Sequence, residues 1–129
     1  MVLASSFISA QLFISEAAEG SSNHKYLEIY NAGSDAVDLS AYSLSSCSNG
    51  CNDGVSWDYT DNVTFDAGTM LAAGDVYVVC HGSADDIIQA ECDQTFTYLS
   101  NGDDVFALTE LGGAIPPIDI IGTIGADPG

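Results

Sequence analysis

The sequence predicts an all-β fold, two sheets packed face to face, on three observations. Helical periodicity is nearly absent. Short runs of alternating or β-branched residues recur along the chain. Clusters of Gly, Asn, Asp and Ser punctuate them at the spacing of turns.

Taken in order, the first strand is Leu12–Ser15. Ahead of it, 1–11 reads as an N-terminal extension or leading strand, with Phe7 alternating against polar neighbours. A signal-peptide end is the weaker reading there, because a positive n-region is missing and Ser5-Ser6 interrupts the apolar stretch. In Tyr26–Tyr30, Leu27 and Ile29 share one face while Tyr26, Glu28 and Tyr30 share the other, as a half-buried sheet requires. The turn Asn31–Asp35 leads to Tyr42–Ser45. The Ser45–Asn62 stretch, holding Cys47, Gly50, Cys51 and Gly54, is the one long excursion from regular structure. Val63–Phe65 and Val76–Cys80 follow, separated by turns at Asp66–Gly68 and Ala73–Asp75. Only Ala84–Glu91 reads as a helix, with Ser83 as its cap and Asp85 and Asp86 at the positive end of its dipole. Phe96–Leu99, Val105–Thr109 and Ile118–Ile121 complete the strands. An immunoglobulin-like β-sandwich with one short helix follows, covering 12–129.

The length of 129 residues suits one domain, and 47% hydrophobic residues supply its core. Lys25 is the only Lys or Arg against nineteen Asp and Glu, for a formal net charge of −18. Such a surface cannot neutralise phosphates, which argues against nucleic acid and against anionic membranes. It can attract divalent cations or a basic partner. No stretch approaches the ~20 apolar residues of a membrane span, so no membrane insertion is expected.

Cysteines at 47, 51, 80 and 92 allow three pairings, of which Cys47–Cys51 and Cys80–Cys92 are the simplest because each closes a short loop. Zinc is a poor fit, since Cys-x-x-x-Cys has no His at finger spacing. Disulfides imply an oxidising setting, secreted or on the cell surface. Asn62-Val63-Thr64 is a glycosylation sequon compatible with that setting.

Leu27-Glu-Ile-Tyr-Asn31 followed by Ala36-Val-Asp-Leu-Ser-Ala-Tyr-Ser-Leu44 resembles the opening of lamin-tail domains, with Ala41 where Gly is usual. Gly68-Thr-Met-Leu71, Ala73-Gly-Asp-Val-Tyr-Val-Val79 and Leu99-Ser-Asn-Gly-Asp-Asp-Val-Phe-Ala-Leu108 follow the family pattern in order. Leu12-Phe-Ile-Ser-Glu16 with Glu19-Gly-Ser-Ser-Asn-His-Lys25, and Asp119–Gly129, are similar to a subgroup of secreted bacterial proteins, often found beside nucleases or other phosphoesterases. The resemblance implies an immunoglobulin-like sandwich of lamin-tail type with an attachment role and no catalysis. Nuclear members engage chromatin or nuclear-envelope partners, which suits neither the charge nor the cysteines here.

Signals of catalysis are weak. Nothing resembles Gly-x-Ser-x-Gly, and His24 and His81 have no partner readable in the sequence. Calcium is the better chemical expectation, since it takes six to eight oxygens from loops. One candidate set is Glu16, Glu19, Asn23 and Glu28. A second is Asn101, Asp103 and Asp104, joined by Asp119, and a third is Asp53, Asp58, Asp61 and Asn62. Solvated turns with side-chain caps are the competing reading for each set. Trp57, Tyr59 and Phe65 form a possible sugar platform, against the plainer reading that Trp57 plugs the end of the sandwich.

The function expected from the sequence is therefore a non-catalytic extracellular binding or structural module, for adhesion, anchoring or self-assembly into fibres, with calcium as a stabiliser. Its partner would be itself or another extracellular protein. For self-assembly, the segment from Val2 to Ile14 would add a strand to a neighbouring copy. The alternative is an accessory domain of a secreted nuclease or phosphoesterase.

Overall fold

A computed structural model describes residues 11–99 and 101–127. The leading-strand expectation for 1–10 lies outside the described residues. Among the described residues ten strands run in order: β1 (Leu12–Glu19), β2 (Lys25–Asn31), β3 (Val37–Asp38), β4 (Tyr42–Cys47), β5 (Tyr59–Thr64), β6 (Met70–Leu71), β7 (Val76–Cys80), β8 (Gln94–Thr95), β9 (Val105–Glu110) and β10 (Asp119–Ile121). The helix α1 (Asp86–Glu91) lies between β7 and β8.

Two four-stranded sheets, β1-β2-β7-β8 and β10-β9-β4-β5, form the sandwich, and β3 pairs with β6 as a small ribbon. Alternation in β2 buries Leu27, Ile29 and Asn31. Across the interface, β4 and β9 bring Leu44, Phe106 and Leu108 into the same core, with Val63 from β5 and Val79 from β7. Leu39, fully buried, enters from a short 3₁₀ turn, Leu39–Ala41. Asp38 begins that turn by accepting from the Ser40 amide at 3.0 Å. Hydrogen bonds from Ser40, side chain first and then backbone, lower its pKa. This gives Val-Asp-Leu-Ser a physical meaning: the carboxylate sets the turn and the turn delivers the leucine.

Asn31 is the second anchor. Fully buried, its amide nitrogen donates to the carbonyls of Asp35 at 2.9 Å and Leu71 at 3.0 Å. Its oxygen accepts from the Gly33 amide at 2.9 Å. One side chain thus ties β2, the 33–35 turn and β6 together.

The two sheets are latched along one flank. The amide of Ile14 on β1 donates to Asp119 Oδ2 on β10 at 2.8 Å. The opposite flank ends in β5, where Leu44 pairs with Val63 and Ser46 with Tyr59, leaving Ser45 against a bulge of three residues. Asp61 sits in that bulge with φ 51° and accepts from Ser43 Oγ at 2.6 Å and from the Gly112 amide at 3.0 Å.

Three expectations change. Phe96–Leu99 is not a strand: β8 runs parallel to β7 for two residues, and after the bond from Phe96 N to Cys80 O the chain leaves the sheet because β7 ends there. The helix cap is Asp85, which accepts from the Ile88 amide, whereas Ser83 and Ala84 form a turn on His81. The 45–62 excursion is shorter than expected, since β4 extends to Cys47 and β5 begins at Tyr59. Residues Leu12–Ile14 are paired with Asn31–Ile29 within the molecule, so that part of the expected donor strand is already used.

Candidate functional site

Both disulfides are local. Cys47–Cys51 closes at 2.00 Å and Cys80–Cys92 at 2.07 Å. The first folds the loop after β4 over the outer face of the second sheet. There Cys47, Cys51, Trp57, Val105 and Ala107 form a second small core. Trp57 Nε1 donates to Gly113 O at 3.0 Å, so the ring covers a sheet face rather than plugging the sandwich end. Phe65 belongs to the main core and stacks edge-on with Tyr77. The Trp57–Tyr59–Phe65 platform is therefore not formed; only Tyr59 is exposed.

The same outer face carries a buried hydroxyl network. Ser43 Oγ and Ser45 Oγ lie 2.9 and 3.1 Å from Thr109 Oγ1, and the Asp61 amide donates to Ser45 Oγ at 3.1 Å. No histidine enters it. His24 Nδ1 accepts from the Asp85 amide at 3.1 Å and His81 Nδ1 from the Ser83 amide at 3.0 Å. Each imidazole thus organises a turn, and neither is aligned on one of these serines as a base would be.

The expected calcium residues divide differently. Glu16 and Glu28 are cross-strand partners on β1 and β2. Glu16 Oε2 accepts from Tyr26 at 2.8 Å and Glu28 Oε1 from Ser15 Oγ at 2.7 Å, so Glu28 serves the neighbouring strand. The Glu16 bond is also the main cause of the raised Tyr26 pKa. Glu19 lies at the far end of the hairpin opposite Lys25, with Asn23 in the turn beyond it. Asn101, with its amide donating, bridges Asp103 Oδ1 and Asp104 Oδ2 at 2.9 Å each, and Asp104 Oδ1 accepts from the Asn49 amide. Asp119 is separate, on the Ile14 latch. In the third set, Asp58 accepts from the amides of Ser48 and Asn52. Asp53 accepts from Ser56 Oγ and from the amides of Val55 and Ser56, which together hold its pKa down at about 2. Among the described residues no three His, Cys, Asp or Glu side chains converge to hold a metal ion.

Several surface concavities remain, two of them roomier than their neighbours. One, of about 510 Å³, lies beside α1 on the outer face of the first sheet and holds the carboxylates of Glu16, Glu28, Asp75, Glu91 and Asp93. The other, of about 440 Å³, opens between the end of the second sheet and the 97–99 segment. Leu99 and Phe106 form its apolar floor, and Tyr59 and Tyr98 stand at its mouth, 51% and 78% exposed. Ser46, Asn62, Asn101 and Asp104 supply polar groups. Asn62 Nδ2, the atom a glycan would join, donates to Ser46 Oγ at 2.7 Å. Tyr98 was not visible as a site residue in the sequence, where alternation with Thr97 made it an ordinary strand position; the chain's departure from the sheet is what exposes it.

These features define a class: an immunoglobulin-like sandwich, fastened by two local disulfides, whose polar side chains mainly serve the fold. The lamin tail domain family model matches residues 6–124, and the chain belongs to that family. No curated protein matches the chain. Lamin-tail domains are immunoglobulin-like and typically non-catalytic, in keeping with the geometry described. The disulfides indicate an oxidising environment, and no helix among the described residues is long and apolar enough to cross a membrane.

Proposed function

We propose that this lamin-tail domain is an extracellular, non-catalytic attachment module that adheres to a partner through its surface. The observation that carries this reading is the use made of its chemically capable groups. Both histidines accept backbone amides, the buried serines bond to a threonine and an aspartate, and the cysteines are oxidised. What stays open is surface, including two concavities.

Attachment to another molecule fits better than fibre growth by strand addition. Of the four outer strands, β1 and β10 are tied to each other by the bond from the Ile14 amide to Asp119, β5 is bent by its bulge, and β8 is only two residues long. Calcium enters as a counter-ion to the acidic surface rather than as a ligand held by converging carboxylates. The reading is tested by assaying the oxidised domain on chromogenic phosphodiester, ester and glycoside substrates, with solution mass measured across concentration. No turnover and a monomeric mass are expected. Turnover lost in His81→Ala would overturn it, as would a mass growing without limit.

A further inference from the structure

We propose that the cleft between β5 and the 97–99 segment is a binding site for a neutral oligosaccharide. This rests on the attachment reading and names the chemistry of the partner. Tyr59 and Tyr98 come from segments distant in sequence, yet they stand at the mouth of one cleft with much of each ring in water. Exposed tyrosines flanking a concavity suit a sugar, whose C–H faces stack on the ring while its hydroxyls reach polar neighbours. Beneath them, Asn62 and Ser46 are already hydrogen-bonded to each other, and Ser46 is only 3% exposed. That wall is therefore fixed before any ligand arrives. Asn101 and Asp104 add a further amide and carboxylate. The volume of about 440 Å³ falls within the usual range for small-molecule clefts.

Charge narrows the class. Asp104 lines the cleft and the protein carries −18 overall, so uronates, sulfated sugars and phosphates are repelled. A basic ligand would favour the other groove, where five carboxylates gather. An uncharged polyhydroxylated chain is what the tyrosine cleft distinguishes. Occupation of Asn62 by a covalent glycan would fill the same space, so carriage and capture of sugar at this position are mutually exclusive.

The test is titration of the oxidised, unglycosylated domain with cellohexaose, laminarihexaose, mannohexaose and chitohexaose, followed by amide chemical shifts, with polygalacturonate as the anionic control. At least one neutral oligosaccharide should shift the resonances of residues 46–48, 59–62 and 97–99, and polygalacturonate should shift none. Tyr98→Ala and Tyr59→Ala should each weaken binding by about tenfold, one aromatic contact's worth. Ile87→Ala, in the other groove, should leave it unchanged. Absence of binding to all four saccharides, or binding indifferent to both tyrosine changes, overturns the site. Either result would leave the attachment reading standing, because that reading fails on turnover or on unlimited self-association.

Discussion

Replacing Asn31 with alanine should destabilise the domain by about 3 kcal/mol. The amide makes three hydrogen bonds from a fully buried position, to the Asp35 and Leu71 carbonyls and from the Gly33 amide. At about 1 kcal/mol net for each bond, their loss sums to that figure, and the Leu71 carbonyl stranded without a donor adds to it. For a chain of this size the loss corresponds to a fall of roughly 10 °C in Tm. Urea denaturation followed by far-ultraviolet circular dichroism measures the change, with the midpoint expected to fall at constant slope. Asn31→Asp sharpens the argument. It preserves size and the acceptor for Gly33 but directs a carboxylate at two carbonyl oxygens, so at neutral pH it should cost at least as much as alanine. The deficit should shrink in acid, where a protonated carboxyl can donate again. A loss below about 1 kcal/mol for alanine, or an aspartate variant as stable as the parent, would refute the view that this residue ties β2, the turn and β6 together.

Four further outcomes follow from the geometry. Asp119→Ala should cost about 1–2 kcal/mol by orphaning the Ile14 amide, and should produce concentration-dependent association in analytical ultracentrifugation as β1 becomes an available edge. Cys47→Ser with Cys51→Ser should lower stability by roughly 2 kcal/mol on loop entropy and shift the emission of Trp57, the only tryptophan, to longer wavelength. Because the Asp53 pKa is lowered in the folded state to about 2, its contribution is present above the ordinary carboxylate value and is lost as pH falls through 2; Trp57 fluorescence should report loosening of the 53–58 loop in that window, and Asp53→Asn should remove the transition. Calcium and magnesium at matched ionic strength should raise Tm equally, and a calcium-specific rise reversed by chelation would establish a coordinated ion.

How much of this was legible follows from which interactions are local. Leu27 and Ile29 alternate with polar neighbours, and period two alone places them inward. Val76–Cys80 is bounded as expected because a buried β-branched run between turn signals admits little else. Phe96–Leu99 carries the same alternation, but a strand needs a partner, and the parallel neighbour β7 runs out first. The cleft is illegible for a related reason: it is assembled from the ends of β4 and β5, from 97–99 and from Asn101, Asp104 and Phe106, with no spacing to mark it. The acidic groups read two ways because Asp in a turn has two uses. Asp53, Asp58 and Asp61 receive backbone amides, the plainer of the readings available from sequence.

The guarded flanks bear on how densely such a molecule can be displayed. Packed side by side, copies with bare strand borders would fuse into continuous ribbons. Here β1 and β10 are tied together through a carboxylate, β5 is crooked by its bulge, and β8 is too short to offer much of a border. Mutual repulsion among like-charged neighbours adds a soft spacer. A crowded layer of these domains would stay a carpet of separate units, each with its tip free to engage whatever lies above.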